Sequence, residues 1–242
     1  TFQPLCYDYI RNLHDYKSEL KKFMKNIPRV FLGDSIMSGI SMPAPRDVAH
    51  YLTHVMRRYD FLAFGGGTEY NASVSDDGKT ILIGDKTPHA DPSNDITLLF
   101  SPIKKTDDLL NMATQLGVAA FQPVITGRTV AQHINWARME KIVTESAEQS
   151  NRNSVPKILP IKKFDEIDLS HIVFADERAA YGAELPTAAR GAKYIFIGPE
   201  GGFTDTEFAA FDAAGATGIS LGKTILRAEL AAAIAISRVK ND

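Results

Sequence analysis

The sequence predicts a two-part α/β protein, a small β-rich unit followed by an α/β unit with a mainly parallel sheet. Three observations carry this reading. The first third of the chain holds short apolar runs and a hairpin signal, and a polar stretch with two prolines and no periodicity then interrupts it. Beyond that stretch, apolar runs and helical patterns alternate, the signature of a parallel sheet with covering helices. Two of those runs end in glycines, which marks strand ends built to meet a ligand.

Along the chain, Tyr9, Leu13, Tyr16, Leu20 and Phe23 recur at alternating spacings of four and three, one apolar stripe of an amphipathic helix. Residues 1–27 therefore read as a helical extension, either a packing appendage or an additional RNA or dimer contact. Val30-Phe31-Leu32 and Phe61-Leu62-Ala63-Phe64 predict strands, with a helix over 47–58 between them. The runs 70–74 and 80–83 flank Asp76-Asp77-Gly78-Lys79, whose Asp-Gly step predicts a hairpin because glycine accepts a positive φ at little cost. These strands define a β-rich unit over 28–86, and the polar stretch 85–95, with Pro88 and Pro92, marks the boundary. The α/β unit spans 95–242, with strands expected at 96–100, 118–121, 157–159, 172–174, 194–197 and 218–221. A helix begins near Trp136. Another begins at Thr204, which has the spacing of a capping box with Glu207, and alanine-rich helix-forming sequence closes the chain.

Composition narrows the function. A formal net charge of −2 over 242 residues argues against coating nucleic acid through bulk charge and leaves room for a local basic face. The single cysteine, Cys6, forms no intrachain disulfide and no thiolate cluster for zinc, so a reducing, cytoplasmic setting is expected. No apolar run approaches the roughly 20 residues of a membrane span, so no membrane partner is expected.

The chemistry concentrates near the C-terminus. Tyr194-Ile195-Phe196-Ile197 runs into Gly198-Pro199-Glu200-Gly201-Gly202-Phe203, and after one helix Ile219-Ser220-Leu221-Gly222 leads to Ile225-Leu226-Arg227-Ala228-Glu229. Both are strand-to-loop transitions at the carboxyl edge of a sheet, and the two edges are expected side by side. The glycine loop carries Glu200 and no lysine, and neither GxGxxG nor GxxxxGK[ST] occurs, so a pyrophosphate is a poor ligand. An adenosine with hydroxyls and a positive centre, such as S-adenosylmethionine, suits glycine backbone groups beside a carboxylate. His50 and His54 have the spacing of a zinc pair on a helix. Tyr51 stands where a metalloprotease carries glutamate and no third ligand stands out, so no metal is expected.

The strings IGPEGGFTDTEF, from Ile197, and LGKTILRAELA, from Leu221, resemble the two C-terminal motifs of the RsmE family, trefoil-knot (SPOUT) methyltransferases acting on 16S ribosomal RNA. The resemblance covers Arg29 to about Arg238 and is strongest after Ile195. It implies a C-terminal SPOUT α/β knot domain behind an N-terminal PUA-like β-barrel that holds RNA. It also implies methyl transfer from S-adenosylmethionine to nitrogen 3 of a uracil in 16S ribosomal RNA, within the assembled small subunit, by a homodimer. No DNA partner is expected. The cofactor would be wrapped by Ile197, Gly198, Pro199, Glu200, Gly201 and Gly202 and by Ser220, Leu221, Gly222, Ile225 and Leu226, and Phe174 would also bind it. Arg227 would hold a phosphate or stabilise negative charge developing on the uracil, and Glu229 is the nearer proton acceptor, with a structural ion pair as the competing role for both. His50, Arg57 and Arg58 on one helix, Lys104 and Arg128 on a cationic rim, and Gln149 and Arg152 in a glutamine-serine-x-arginine turn would contact RNA. Gln149 and Arg152 equally suit the ending of the preceding helix, and Lys104 and Arg128 equally suit solvated surface. The chain departs from the family pattern at Ala228 and Leu230, where threonines are expected, and at Met112 and Gln115, where lysine and glutamate are. A knotted methyltransferase on another RNA such as transfer RNA, a noncatalytic RNA-binding assembly protein, and an α/β nucleotide-binding enzyme are the rival readings.

Overall fold

The computed structural model describes residues 27–92, 95–130 and 134–240. The helix expected over residues 9–23, and Cys6, lie outside the described residues. The chain divides between His89 and Ala90 into two compact units.

The first unit contains β1 (Arg29–Phe31), β2 (Ser41–Pro43), α1 (Arg46–His50), β3 (Asp60–Gly65), β4 (Thr68–Val74) and β5 (Thr80–Lys86), with a π-helical turn, Tyr51–Met56, continuing α1. The strands form one mixed sheet in the order β1-β3-β4-β5-β2, with β1 parallel to β3 and the other pairs antiparallel. The hairpin turns at Gly78, whose φ of 69° is the left-handed conformation the Asp-Gly step predicts. Alternate residues Ala72, Val74, Ile81 and Ile83 pack with Val30, Phe61 and Leu52 into the core. The helix ends at Met56, two residues short of expectation, with Arg57 capping it in the left-handed conformation at φ 53°. The short β2 is not predicted by the sequence. Ser41-Met42-Pro43 has no apolar alternation, and its proline is tolerated because β2 is an edge strand.

The second unit contains β6 (Thr97–Phe100), α2 (Thr106–Gln115), β7 (Ala120–Ile125), α3 (Trp136–Gln149), β8 (Lys157–Ile158), β9 (Lys162–Lys163), β10 (Ile172–Ala175), β11 (Tyr194–Ile197), α4 (Asp205–Ala214), β12 (Thr217–Ile219) and α5 (Ala228–Val239). The strand order is β12-β10-β11-β6-β7-β8, with β9 also pairing on β7, and every pair is parallel. Because side chains alternate across a strand, neighbours in one apolar run serve opposite layers. Val173, Ile195 and Ile197 join the core that includes Leu109, Val143 and Ala232 of α2, α3 and α5. Phe174 and Phe196 face the other way, into an aromatic cluster with Phe203 and Phe211 in which Phe174 stacks on Phe211 at 4.1 Å. The Thr204 amide donates to the Glu207 carboxylate at 2.8 Å and the Glu207 amide donates to the Thr204 hydroxyl at 3.2 Å, completing the capping box.

Two expectations are corrected here. The glycine-ended strands β11 and β12 are not adjacent, since β10 lies between them and pairs with both. Strand β7 starts at Ala120 and runs through Pro123 to Ile125 instead of spanning 118–121. Val118 instead closes the turn after α2, donating its amide to the Ala113 carbonyl at 3.1 Å.

Candidate active site

At the carboxyl ends of β10, β11 and β12 the second unit opens a cleft of about 270 Å³. This is where an open α/β sheet binds ligands. Of the residues expected at the cofactor, Ile197, Gly198, Pro199, Glu200, Gly202, Leu221, Gly222, Ile225 and Leu226 line it, and so does Arg227. The intervening β10 does not separate the two loops, because its own end, Ala175-Asp176-Glu177, forms the floor between them. Two close approaches fix this arrangement. Gly218 is needed because a Cβ there would come within 2.5 Å of the Asp176 carboxylate, and Gly202, at φ 69°, is needed because a Cβ would collide with the carboxylate of Glu177.

The loop 198–203 is braced from outside. Arg128 donates to the carbonyls of Gly201 at 2.9 Å and Phe203 at 3.0 Å, and the backbone amide of Lys104 donates to Glu200 Oε1 at 3.0 Å. Buried Glu207 accepts from the Gly127 amide at 2.8 Å, tying the arginine loop to the start of α4. The loop 221–227 is more exposed and more lightly held. Upstream of it, the Ser220 amide donates to the Pro186 carbonyl at 2.8 Å, and the Gly222 amide donates to the Ser220 hydroxyl at 3.3 Å.

Four expected site residues stand outside the cleft lining. Phe174 is fully buried in the aromatic cluster because it points to the α4 face of the sheet. Gly201 faces Arg128, which a Cβ would meet at an ordinary 3.5 Å. Ser220 lies just behind Leu221 and accepts Arg238 at its carbonyl. Glu229 is half-buried in the first turn of α5. Among the described residues, neither Arg227 nor Glu229 makes a side-chain hydrogen bond or ion pair.

The expected RNA contacts fall in several places. Lys104 and Arg128 are at the rim of the cleft, where they brace its loop. Gln149 is exposed at the end of α3. Arg152 donates to the carbonyls of Thr114 and Val118 at 2.9 Å each, so its guanidinium ends α2 and fills the turn beyond it, and burial lowers its pKa. His50, Arg57 and Arg58 belong to the first unit, where the exposed His50 ring stacks on that of His54 at 4.9 Å. Among the described residues no group of three or more potential ligands could hold a metal ion.

Sequence reasoning missed Asp176, Glu177 and Thr224, which also line the cleft. The signal for the first two was present: the apolar run 172–175 ends in an acidic pair at a carboxyl edge, as the β11 run ends in glycines. Asp176 is buried and accepts both side-chain and backbone bonds from Arg178, which also pairs with Asp212 of α4 at 2.9 Å and lies 4.6 Å over the Phe208 ring. Asp212 first and Asp176 second raise the pKa of Arg178, so this cation is permanent and staples the floor of the cleft to α4.

A parallel sheet whose glycine-rich carboxyl edge opens on a ligand cleft defines the class, and residues 90–240 match the family described as RNA methyltransferase domain. The ribosomal RNA small subunit methyltransferase E of Rickettsia conorii is 32% identical over 208 residues, 79% of this chain and 85% of the relative; that of Synechocystis is 30% identical over 211 residues, 78% and 69%. The chain belongs to this family, RsmE. A crystal structure of the Neisseria gonorrhoeae member bound to S-adenosyl methionine is 29% identical and superposes with a TM-score of 0.74 over 87% of this chain and 95% of that one.

Proposed function

We propose that this protein transfers a methyl group from S-adenosylmethionine to nitrogen 3 of a uridine in 16S ribosomal RNA, in the assembled small subunit, as a cytoplasmic homodimer. The observation that carries the reading is the cleft itself, built from both family motifs in a chain whose Neisseria relative has S-adenosyl methionine bound. The residues fit that cofactor: apolar Ile197, Ile225 and Leu226 suit an adenine ring, and the close-approaching glycine backbone suits hydroxyls. Bound there, the cofactor supplies an electrophilic sulfonium methyl. Arg227, exposed at the cleft wall and without a partner among the described residues, is available to stabilise the negative charge that develops on the uracil as its N3 proton leaves. Glu229, half-buried in the first turn of α5 just beyond Arg227, is the candidate acceptor of that proton.

Several features support the finer points. The Ser220 bond to Pro186, the Gly191 amide bond to the Val239 carbonyl and the Arg238 bonds to Thr187 and Ser220 clasp the 186–191 segment to β12 and α5, a close C-terminal packing compatible with the proposed knot. Ile225 and Leu230, 61% and 46% exposed, give a second copy an apolar surface beside the cleft. The mixed five-stranded sheet and the exposed His50 and Arg57 suit a PUA-like, RNA-holding role for the first unit.

The test is methyl transfer from labelled S-adenosylmethionine to unmodified small subunits, free 16S RNA and transfer RNA, with the product nucleoside identified by mass spectrometry. The reading predicts 3-methyluridine in the subunit sample. Label in transfer RNA alone would replace the substrate, and RNA and cofactor binding without transfer would make the protein a noncatalytic binder.

A further inference from the structure

We infer that Glu177 is the residue that selects the charged methyl donor over its demethylated, uncharged product. This rests on the cofactor reading above and adds to it a residue that neither motif contains.

Four ionisable side chains line the cleft: Asp176, Glu177, Glu200 and Arg227. Three of them are poorly placed to read a cation. Asp176 is saturated by Arg178, with four contacts of 2.7 to 3.0 Å from its side-chain and backbone nitrogens. Glu200 is exposed at the rim and accepts the Lys104 amide. Arg227 is itself a cation.

Glu177 differs from all of these. It is half-buried, and among the described residues nothing hydrogen-bonds to or pairs with its carboxylate. Its position is sterically set, since the carboxylate lies in the space that a Cβ on buried Gly202 would occupy. Glu177 also backs a second hollow lined by Arg128 and Arg178, but both guanidiniums are committed elsewhere, to loop carbonyls and to two aspartates. A partly desolvated carboxylate without a partner is costly unless the ligand brings the partner, and a positive centre offsets that cost where a neutral thioether does not. Loss of the ligand's charge on methyl transfer would then weaken its hold and favour product release.

The experiment is calorimetric titration of wild type, Glu177→Gln and Glu177→Asp with three probes: S-adenosylmethionine, S-adenosylhomocysteine and sinefungin, whose amine places a positive charge where the sulfonium is. Glu177→Gln should weaken S-adenosylmethionine and sinefungin about tenfold, or roughly 1.4 kcal/mol, and change S-adenosylhomocysteine less than about twofold. Glu177→Asp, which keeps the charge, should retain the wild-type preference among the three and provides the readout if the glutamine variant fails to fold. An equal loss for all three ligands, or no loss, would overturn the inference and leave the cofactor reading intact. A wild-type protein that binds none of them would instead overturn the cofactor reading itself.

Discussion

The two loops that face each other across the cleft are built differently. The 198–203 loop stands on the aromatic cluster, with Phe203 3% exposed, and is fastened by Arg128, Lys104 and, through α4, Glu207. In the 221–227 loop, residues 222–225 and Arg227 are exposed, and the local hydrogen bonds gather near its start, at Ser220 and Gly222. The difference assigns separate tasks. A braced backbone presents a fixed shape, which suits the invariant part of a ligand, whereas an exposed loop carrying an arginine that has no side-chain partner among the described residues suits contact with the second substrate.

Substitutions can break or sharpen that division. Gly202→Val should have the largest effect, weakening S-adenosylmethionine binding at least about 100-fold by calorimetry, because the side chain meets both a left-handed φ and the Glu177 carboxylate. Arg227→Ala, on the exposed loop, should lower kcat about 100-fold, the scale of losing one donor to a developing oxyanion, while cofactor affinity stays within about threefold. A matching loss of cofactor affinity would erase the proposed division of labour. Arg128→Ala removes two bonds to carbonyls of the braced loop and should raise the cofactor Kd about tenfold with little change in kcat. Asp212→Asn should matter least, below about 1 kcal/mol, because its pair with Arg178 is 59% exposed on the aspartate side. Arg178 holds the Asp212 carboxyl below its ordinary pKa, so the pair stabilises the fold fully above that ordinary value and the contribution disappears as pH falls through the depressed one. Thermal melts of the two proteins should therefore differ at neutral pH and converge in acid.

Much of this was legible in the sequence where one local cause decides. The Asp-Gly hairpin, the Thr204 capping box and the β11 strand into its glycine loop all follow from residues a few positions apart. Strand adjacency does not, since crossover connections set it: β10 enters between β11 and β12 although it precedes both in the chain. That insertion hid Asp176 and Glu177, which become floor residues only once β10 is known to divide the loops. Phe174 was misplaced for a related reason. Its run is apolar throughout, so no alternation told which residue faced which layer. Arg152 suited RNA contact and the ending of α3 equally well; it ends α2 instead, because its carbonyl partners, Thr114 and Val118, lie more than thirty positions away in the sequence. Edge strand β2 left no pattern at all.

The most direct test of the central claim is a crystal structure of this protein grown with S-adenosylmethionine. The cofactor is expected between the 198–203 and 221–227 loops, over the Asp176-Glu177 floor, with its methyl group directed toward Arg227. Cofactor bound elsewhere, or a cleft still empty at concentrations that saturate binding in solution, would contradict the account.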